Sequence, residues 1–239
     1  MRPTSIVQFH DAGVRFQVDR HKRLVTPALA RLRRGGNAVW GVRHLDLRLG
    51  PGEGVALVGP SGSGKTTLLR LLAGVLSCDE GAMEVGGRVG SLLSIDAGVN
   101  GYLTGRENAR LLGVLGGLSA RQATAALDRV QELSGLEEAF ERPVATWSQG
   151  MRARLGYAVA QVRDPDVLLL DEMHEALDHE FRRQVEAHAR RLVERGGLVV
   201  AAGHDHELLS GLCRRALWLE HGEIRRDGPF GEVVTAYAA

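Results

Sequence analysis

Residues 59–66 read GPSGSGKT and fit the pattern G-x-x-x-x-G-K-S/T at every fixed position: Gly59, Gly64, Lys65 and Thr66. The flanks narrow what the chain can fold into. Val55-Ala56-Leu57-Val58 is a short apolar run suited to a buried strand, and Thr67-Leu68-Leu69-Arg70-Leu71-Leu72 opens a helix directly afterwards. Strand, glycine loop, helix is the context in which such an octet binds phosphate. Glycines let the main chain wrap closely around an anion, so that successive N–H groups point at its oxygens. The helix N-terminus adds partial positive charge. Lys65 supplies a mobile point charge for outer phosphates, and Thr66 offers a hydroxyl to Mg²⁺. The cradle is expected to run through Gly59, Pro60, Ser61, Gly62, Ser63, Gly64, Lys65, Thr66 and Thr67. A glycine-rich turn that binds nothing would not need the Lys-Thr pair in register with both flanks.

Composition excludes several classes. The formal net charge of +1 over 239 residues gives no strong field for nucleic acid. The basic clusters at Arg20 to Arg23 and Arg31 to Arg34 read as solvated loops. Cys78 and Cys213 are too few for a disulfide framework or a zinc site, and fit a reducing compartment. No apolar run approaches the ~20 residues that span a bilayer. The first residues, MRPTSIVQFHDAG, lack the charged-then-apolar order of a signal peptide. A soluble intracellular protein is expected, one that needs a membrane partner if it works at a membrane.

Residues 5–9 and 14–18 alternate as a strand pair would, and residues 38–49 alternate again up to the turn Gly50-Pro51-Gly52. Residues 80–95 suggest a hairpin around Gly86-Gly87. From Thr104 the period turns helical, beginning with a Thr104–Glu107 capping box. Ser119 opens a second helix that Gly135 closes, and residues 149–162 form a third. Val167 to Leu170 is a continuous apolar run, as in a strand buried on both faces. Helix is expected over 180–195 and 206–213, strand over Leu198 to Ala202, and a last hairpin at His221-Gly222.

Three further places carry chemistry. Val167 to Leu170 delivers Asp171 and Glu172 to the C-terminal end of a strand, where open α/β sheets place their ligands. Asp171 suits Mg²⁺, and Glu172 suits a base that polarises water. A helix N-terminus that merely favours acids is the plainer alternative. Ser148 and Gly150 lie at a helix start, where free N–H groups can meet an anion; capping alone would also explain the serine. His204 follows the strand Leu198 to Ala202; a lone histidine is usually structural or on the surface, but one at a strand end beside a phosphate loop could contact a γ-phosphate, or pair with the neighbouring Asp205, with His206 next to it.

The order of these features resembles the ATP-binding cassette ATPases: phosphate loop, S-x-G at a helix start, apolar-Asp-Glu, Leu177-Asp178, then strand-His. The resemblance covers essentially the whole chain. It implies an α/β fold of the P-loop NTPase kind, a single nucleotide-binding domain over 1–239. That domain would have a RecA-like core, an antiparallel β subdomain and a helical subdomain at about 100–163. It implies Mg²⁺ and ATP as cofactors, the metal at Thr66 and Asp171, and Glu172 and His204 as catalytic residues. Ser148, Gln149 and Gly150 would cap the γ-phosphate of ATP held by a second copy, and Asp178 would cross that interface. Two copies would thus sandwich two ATP head to tail. Phe16 matches the aromatic that stacks on adenine, although a core phenylalanine would look the same in sequence.

Residues 91–108, with Asp96-Ala97-Gly98-Val99-Asn100 and Leu103-Thr104-Gly105-Arg106-Glu107-Asn108, are similar to one branch of that family. That branch exports polysaccharides and polyol phosphates: O-antigen, capsule, teichoic acid and galactan-type polymers. The signature W-S-Q-G-M-R-A-R-L and residues 212–237 also resemble it, and the basic insertion at 19–36 sits where the branch carries extra sequence. The resemblance implies an integral membrane permease whose cytoplasmic helix enters a cleft around Asn100 to Glu107. A glycan or glycolipid cargo would be contacted mainly through that permease, at the cytoplasmic face of a bacterial membrane. With the sequence ending at residue 239, the C-terminal carbohydrate-binding domain of some O-antigen exporters is expected to be lacking. Departures are plain: no Q-loop glutamine, with Ser94, Asp96 or Asn100 left as stand-ins; Gln149 in place of a small residue; and Met173-His174-Glu175 in place of Pro-Thr-Ser. Export of a drug or lipid, or a nucleotide-gated regulatory module with little hydrolysis, are the alternatives. The set Lys65, Asp171, Glu172 and His204 speaks for hydrolysis.

Overall fold

The computed structural model describes residues 7–17, 38–92, 98–171, 177–203 and 205–239. The strands are β1 (Val7–Gln17), β2 (Ala38–Leu49), β3 (Gly54–Val58), β4 (Glu80–Val85), β5 (Val89–Leu92), β6 (Val167–Leu170), β7 (Leu198–Ala202), β8 (Arg215–Glu220) and β9 (Glu223–Pro229). The α-helices are α1 (Lys65–Leu72), α2 (Gly105–Leu115), α3 (Ala120–Ala125), α4 (Leu127–Ser134), α5 (Gln149–Val162), α6 (His179–Glu194), α7 (His206–Leu212) and α8 (Phe230–Ala238).

The apolar runs explain the layers. Every residue of β3, β6 and β7 is buried. Side chains of a strand alternate between faces, so a strand buried throughout must have both faces covered. Val55, Leu57, Val167, Leu169, Leu198 and Val200 point into one core, shared with α1 and the strands β1 and β2. Ala56, Val58, Leu168, Leu170, Val199 and Ala201 point into another, shared with Phe181, Val185 and Leu192 of α6 and with Val233 of α8. The resulting six-stranded sheet has the order β5-β6-β7-β3-β8-β9 and is parallel except for β9. An antiparallel sheet of order β2-β1-β4 covers one face. The helices between Gly105 and Val162 gather a third core around Phe140, Trp147 and Leu155.

Three expectations need correction. Residues 80–95 are not a hairpin: β4 joins β1 in the smaller sheet, whereas β5 runs parallel to β6 in the larger one. The crossing is fixed by distant partners. Arg88 N–H donates to Asp166 Oδ2 at 2.9 Å, and the Arg88 carbonyl accepts from Asp166 N–H at 2.8 Å. Residues 7–17 form one strand, not the start of a strand pair. Its register shifts between Phe9 and Val14, with Asp11 at φ +43°, and the Asp46 carboxylate takes the Asp11 N–H at 2.9 Å. That is a bulge, which bends a strand without reversing it. The helix expected from Ser119 to Gly135 breaks at Ala126 into α3 and α4. The expected Thr104–Glu107 capping box is present, with Thr104 N–H on Glu107 Oε2 at 2.8 Å and Glu107 N–H on Thr104 Oγ1 at 3.2 Å.

One buried polar pair ties α5 to α6. Tyr157 Oη and His188 Nδ1 lie 2.6 Å apart, with both residues buried. Burial, reinforced by Arg195 and Arg191, holds His188 below the usual histidine range. The unfolded chain therefore takes up a proton that the folded chain resists, so this contribution is present above about pH 6.5 and is lost as pH falls. Urea denaturation should show stability declining through that range, with a shallower decline in His188→Asn. Tyr157→Phe should lose about 1–3 kcal/mol at neutral pH, because it leaves a buried ring nitrogen without its partner.

Candidate functional site

The parallel register collects the site at one edge of the sheet. Leu57 pairs with Ala202, and Ala201 with Leu170, so β3, β7 and β6 end together. The loop after β3 and Asp171 after β6 are thereby brought to the same edge, two strand spacings or about 10 Å apart. Asp171 is 6% exposed. Glu172 and His204 lie outside the described residues, as do Ser94, Asp96 and Met173-His174-Glu175.

The loop is shaped by backbone that favours glycine at three points, with φ +144° at Gly59 and +80° at Gly62. Gly64, the residue before α1, has φ +110°, and a Cβ there would sit 2.4 Å from the Gly41 carbonyl oxygen. Ser63 N–H donates to the Pro60 carbonyl at 3.1 Å, and the Ser63 carbonyl accepts from Gly222 N–H at 3.0 Å. The buried Lys65 donates Nζ to the carbonyls of Gly59 at 2.7 Å and Pro60 at 3.1 Å. Both partners are neutral, so the ammonium charge stays uncompensated within the loop. Among the described residues Ser63 Oγ is buried with no hydrogen-bond partner and Lys65 has no carboxylate partner, while Pro60, Ser61 and Gly62 are exposed. That cation, the orphaned buried hydroxyl and a helix N-terminus fit a phosphate. Thr66 opens the first turn of α1 and, with Asp171, offers the hydroxyl and carboxylate oxygen that Mg²⁺ accepts. Among the described residues no group of three or more His, Cys, Asp or Glu could hold a metal by itself. A metal here would depend on phosphate oxygens as well.

Phe16 belongs to the surface, not to the core. It is 41% exposed near the end of β1. A Cβ on Gly41 would lie 2.5 Å from Phe16 Cε2 and 2.8 Å from Thr67 Cγ2. The missing side chain at Gly41 therefore lets the ring settle against the helix that follows the loop.

Ser148, Gly150 and Asp178 meet elsewhere. Ser148 caps α5, its Oγ accepting from Met151 N–H at 3.2 Å, and Asp178 caps α6, its Oδ1 accepting from Phe181 N–H at 3.0 Å. Both line a groove of about 250 Å³ with Gly150, Met151 and Arg154, and no residue of 59–67 borders it. Gln149 is exposed and does not line the groove. Arg154 donates to Asp178 Oδ2 through Nε at 3.1 Å and through Nη2. This pairing, helped by the Phe181 N–H, holds the Asp178 carboxyl below the usual carboxylate range. Sequence reasoning missed Arg154, since its partner is 24 residues away and no spacing rule links them. A larger cleft of about 480 Å³ lies between Arg88 and Arg163 and shares no lining residue with the loop or the groove.

Residues 98–108 form a tightly bonded turn. The fully buried Asn108 accepts Asn100 N–H at 2.8 Å and donates to the carbonyls of Asn100, Leu103 and Thr104. Asn100 Oδ1 is engaged by Tyr102 N–H at 3.0 Å. Tyr102 stands at the apex, 94% exposed.

Comparison with known proteins agrees with this layout. Residues 42–175 match the family described as ABC transporter. Over 202 residues the chain is 32% identical to an O-antigen export system ATP-binding protein of Klebsiella pneumoniae, covering 84% of this chain and 82% of that protein. It is also 32% identical to an O-antigen export system ATP-binding protein of Myxococcus xanthus, covering 85% of this chain and 47% of that protein. A teichoic acids export ATP-binding protein of Enterococcus faecalis is 32% identical, with 84% of this chain and 44% of that protein covered. The chain thus spans about half the length of the latter two relatives. Among solved structures, a dimeric post-hydrolysis state of an ATP-binding cassette with ADP and phosphate superposes with a TM-score of 0.74 at 20% identity. The match covers 94% of this chain and 98% of that one. An ATP-binding subunit of an ABC transporter gives 0.73 at 17% identity, covering 98% and 94%. At these identities the structural likeness is one of fold.

If the Phe16 ring carries a base, Phe16→Ala should weaken binding of a fluescent adenine nucleotide by about 3–10-fold, a stacking contribution of ~1 kcal/mol. Its melting temperature should change little, because the ring is largely outside the core. Titration of the fluorescent nucleotide into both proteins checks this.

Proposed function

This chain belongs to the ABC transporter family, and we propose that it is the ATP-hydrolysing subunit of an exporter. Its cargo in this reading is a lipid-linked polysaccharide or polyol phosphate polymer crossing the cytoplasmic membrane. One observation carries the reading furthest: the chain has two separate places suited to phosphate. The loop of Lys65 sits on the sheet edge, whereas the Ser148–Gly150 groove contains no residue of that loop. A second copy in head-to-tail orientation lets each groove complete the other's loop.

Mg·ATP supplies the phosphoanhydride bond. Lys65 leaves the carbonyls of Gly59 and Pro60 to meet the outer phosphates, and Ser63 Oγ and the loop N–H groups add donors. Thr66 and Asp171 would hold Mg²⁺, which would supply charge neutralisation to the phosphates. Phe16 presents its exposed face to the base. Glu172 takes the proton from the attacking water, and His204 contacts the γ-phosphate. Ser148 and Gly150 of the second copy close over that phosphate, with Asp178 beside them.

Among the described residues no helix is long and apolar enough to cross a membrane. In this reading a membrane permease passes the cargo, as the family membership supports, with this subunit bound at the cytoplasmic face. The bonded turn at 98–108 offers a rigid seat for a permease helix, and Tyr102 an aromatic contact. Relatives that serve O-antigen and teichoic acids export support polymer export over export of a drug or lipid, and the hydrolytic set disfavours a regulatory module.

Three measurements test the reading. Glu172→Gln should reduce ATP turnover at least about 100-fold and accumulate an ATP-bound dimer on size exclusion; equal turnover would remove Glu172 from its role. Lys65→Ala should weaken ATP binding by roughly tenfold or more, since it deletes a charged partner of the phosphates. Unchanged affinity contradicts the loop assignment. Deleting the gene should trap a lipid-linked glycopolymer inside the cell, and a normal envelope with no such intermediate removes the cargo claim.

A further inference from the structure

We propose that Arg154 is a positioning residue that neutralises Asp178 at the mouth of the Ser148–Gly150 groove, so that this face can accept the phosphates of a nucleotide held by a second copy. The inference rests on the composite-site reading above and adds a named electrostatic requirement to it.

Asp178 cannot move out of the way. Its Oδ1 caps α6 through Phe181 N–H, which fixes the carboxylate where α6 begins. Its side chain is 46% exposed on the lip of the groove that Ser148 and Gly150 also line. A bare carboxylate there would repel an incoming phosphate and offset the donors at the start of α5. Among the described residues lining the groove Arg154 is the one cation, and it places two N–H groups on Asp178 Oδ2.

The guanidinium is held from behind. Its Cζ lies 5.1 Å above the Phe181 ring. Phe181 meets Tyr157 edge to face at 5.7 Å, and Tyr157 meets His188 through the 2.6 Å hydrogen bond. Arg154 and Tyr157 are one turn apart on α5, and Asp178, Phe181 and His188 follow one stripe of α6. The column runs from the solvent-facing groove into the core, so the charge pair is presented on two helices fixed to each other. The cap does not demand an acid, since asparagine caps a helix equally well. What aspartate adds at 178 is charge, and Arg154 cancels it.

The test uses the Glu172→Gln protein, titrating ATP and following dimer formation by light scattering, with thermal melting to confirm folding. Arg154→Met, which keeps the aliphatic cover on Phe181, should need about tenfold more ATP to dimerise. Arg154→Lys should stay within about threefold of the parent, and Arg154→Met should cost no more than about threefold when added to Asp178→Asn, measured against Asp178→Asn alone. Arg154→Met dimerising like the parent overturns the proposal. So does an Arg154→Met penalty of about tenfold that persists in the Asp178→Asn background, which would assign the residue to packing. Those outcomes leave the composite site intact. A Glu172→Gln parent that does not dimerise with ATP removes the composite site and this proposal together.

Discussion

Strands with no solvent-facing side govern this molecule. β3, β6 and β7 carry apolar side chains on both faces, so neither face of the sheet can be left to water. Each fully buried Leu or Val contributes on the order of 2 kcal/mol only if something covers it. The antiparallel sheet and α1 cover one face; α6, α7 and α8 cover the other. The remaining architecture is a solution to that requirement. Because the strands are parallel, their carboxyl ends meet at one edge, and the polar residues that end the apolar runs are gathered there without further design.

The same constraint explains the loop. A strand buried to its last residue, Val58, must release the chain abruptly into solvent at the helix start. The left-handed Gly64 makes the turn, and Lys65 folds its ammonium onto the loop's own carbonyls. Exchange of those carbonyls for phosphate oxygens swaps neutral acceptors for anionic ones, and hydrogen bonds to charged groups are the stronger kind. The loop is thus ordered before a ligand arrives, and little backbone entropy remains to be lost on binding.

Much of this was legible in the sequence where the signal is local. The buried strands, the start of α1, the Thr104 cap, Ser148 as a cap and the final hairpin all follow from patterns within a few residues. The failures are non-local. Gly86-Gly87 carries a hairpin signal, yet Asp166, far along the chain, takes Arg88 and sends β5 to another sheet. Phe16 could equally have been a core residue; only the absence of a side chain at Gly41 shows why it is exposed beside Thr67. Arg154 and the Tyr157–His188 pair left no trace in spacing, because helix-to-helix contacts across 24 and 31 residues obey no sequence period.

The helix α5 joins two separate cores and begins at the groove. Ala153 and Tyr157 pack into the core beneath the sheet, whereas Leu155, Ala158 and Val159 pack into the separate helical core. A helix apolar on both sides cannot shift relative to one core without straining the other, since packed interiors yield in discrete steps. Ser148 at its start is therefore coupled to the sheet edge through Tyr157 and α6, and to the turn at 98–108 through the core that holds Trp147 and Phe140. Gly105 admits this packing directly: a Cβ there would lie 2.4 Å from the Trp147 ring. Trp147 packs against Gly105 at the start of α2 and immediately precedes Ser148, so the turn and the groove border one packed contact that holds no residue of the loop at 59–67.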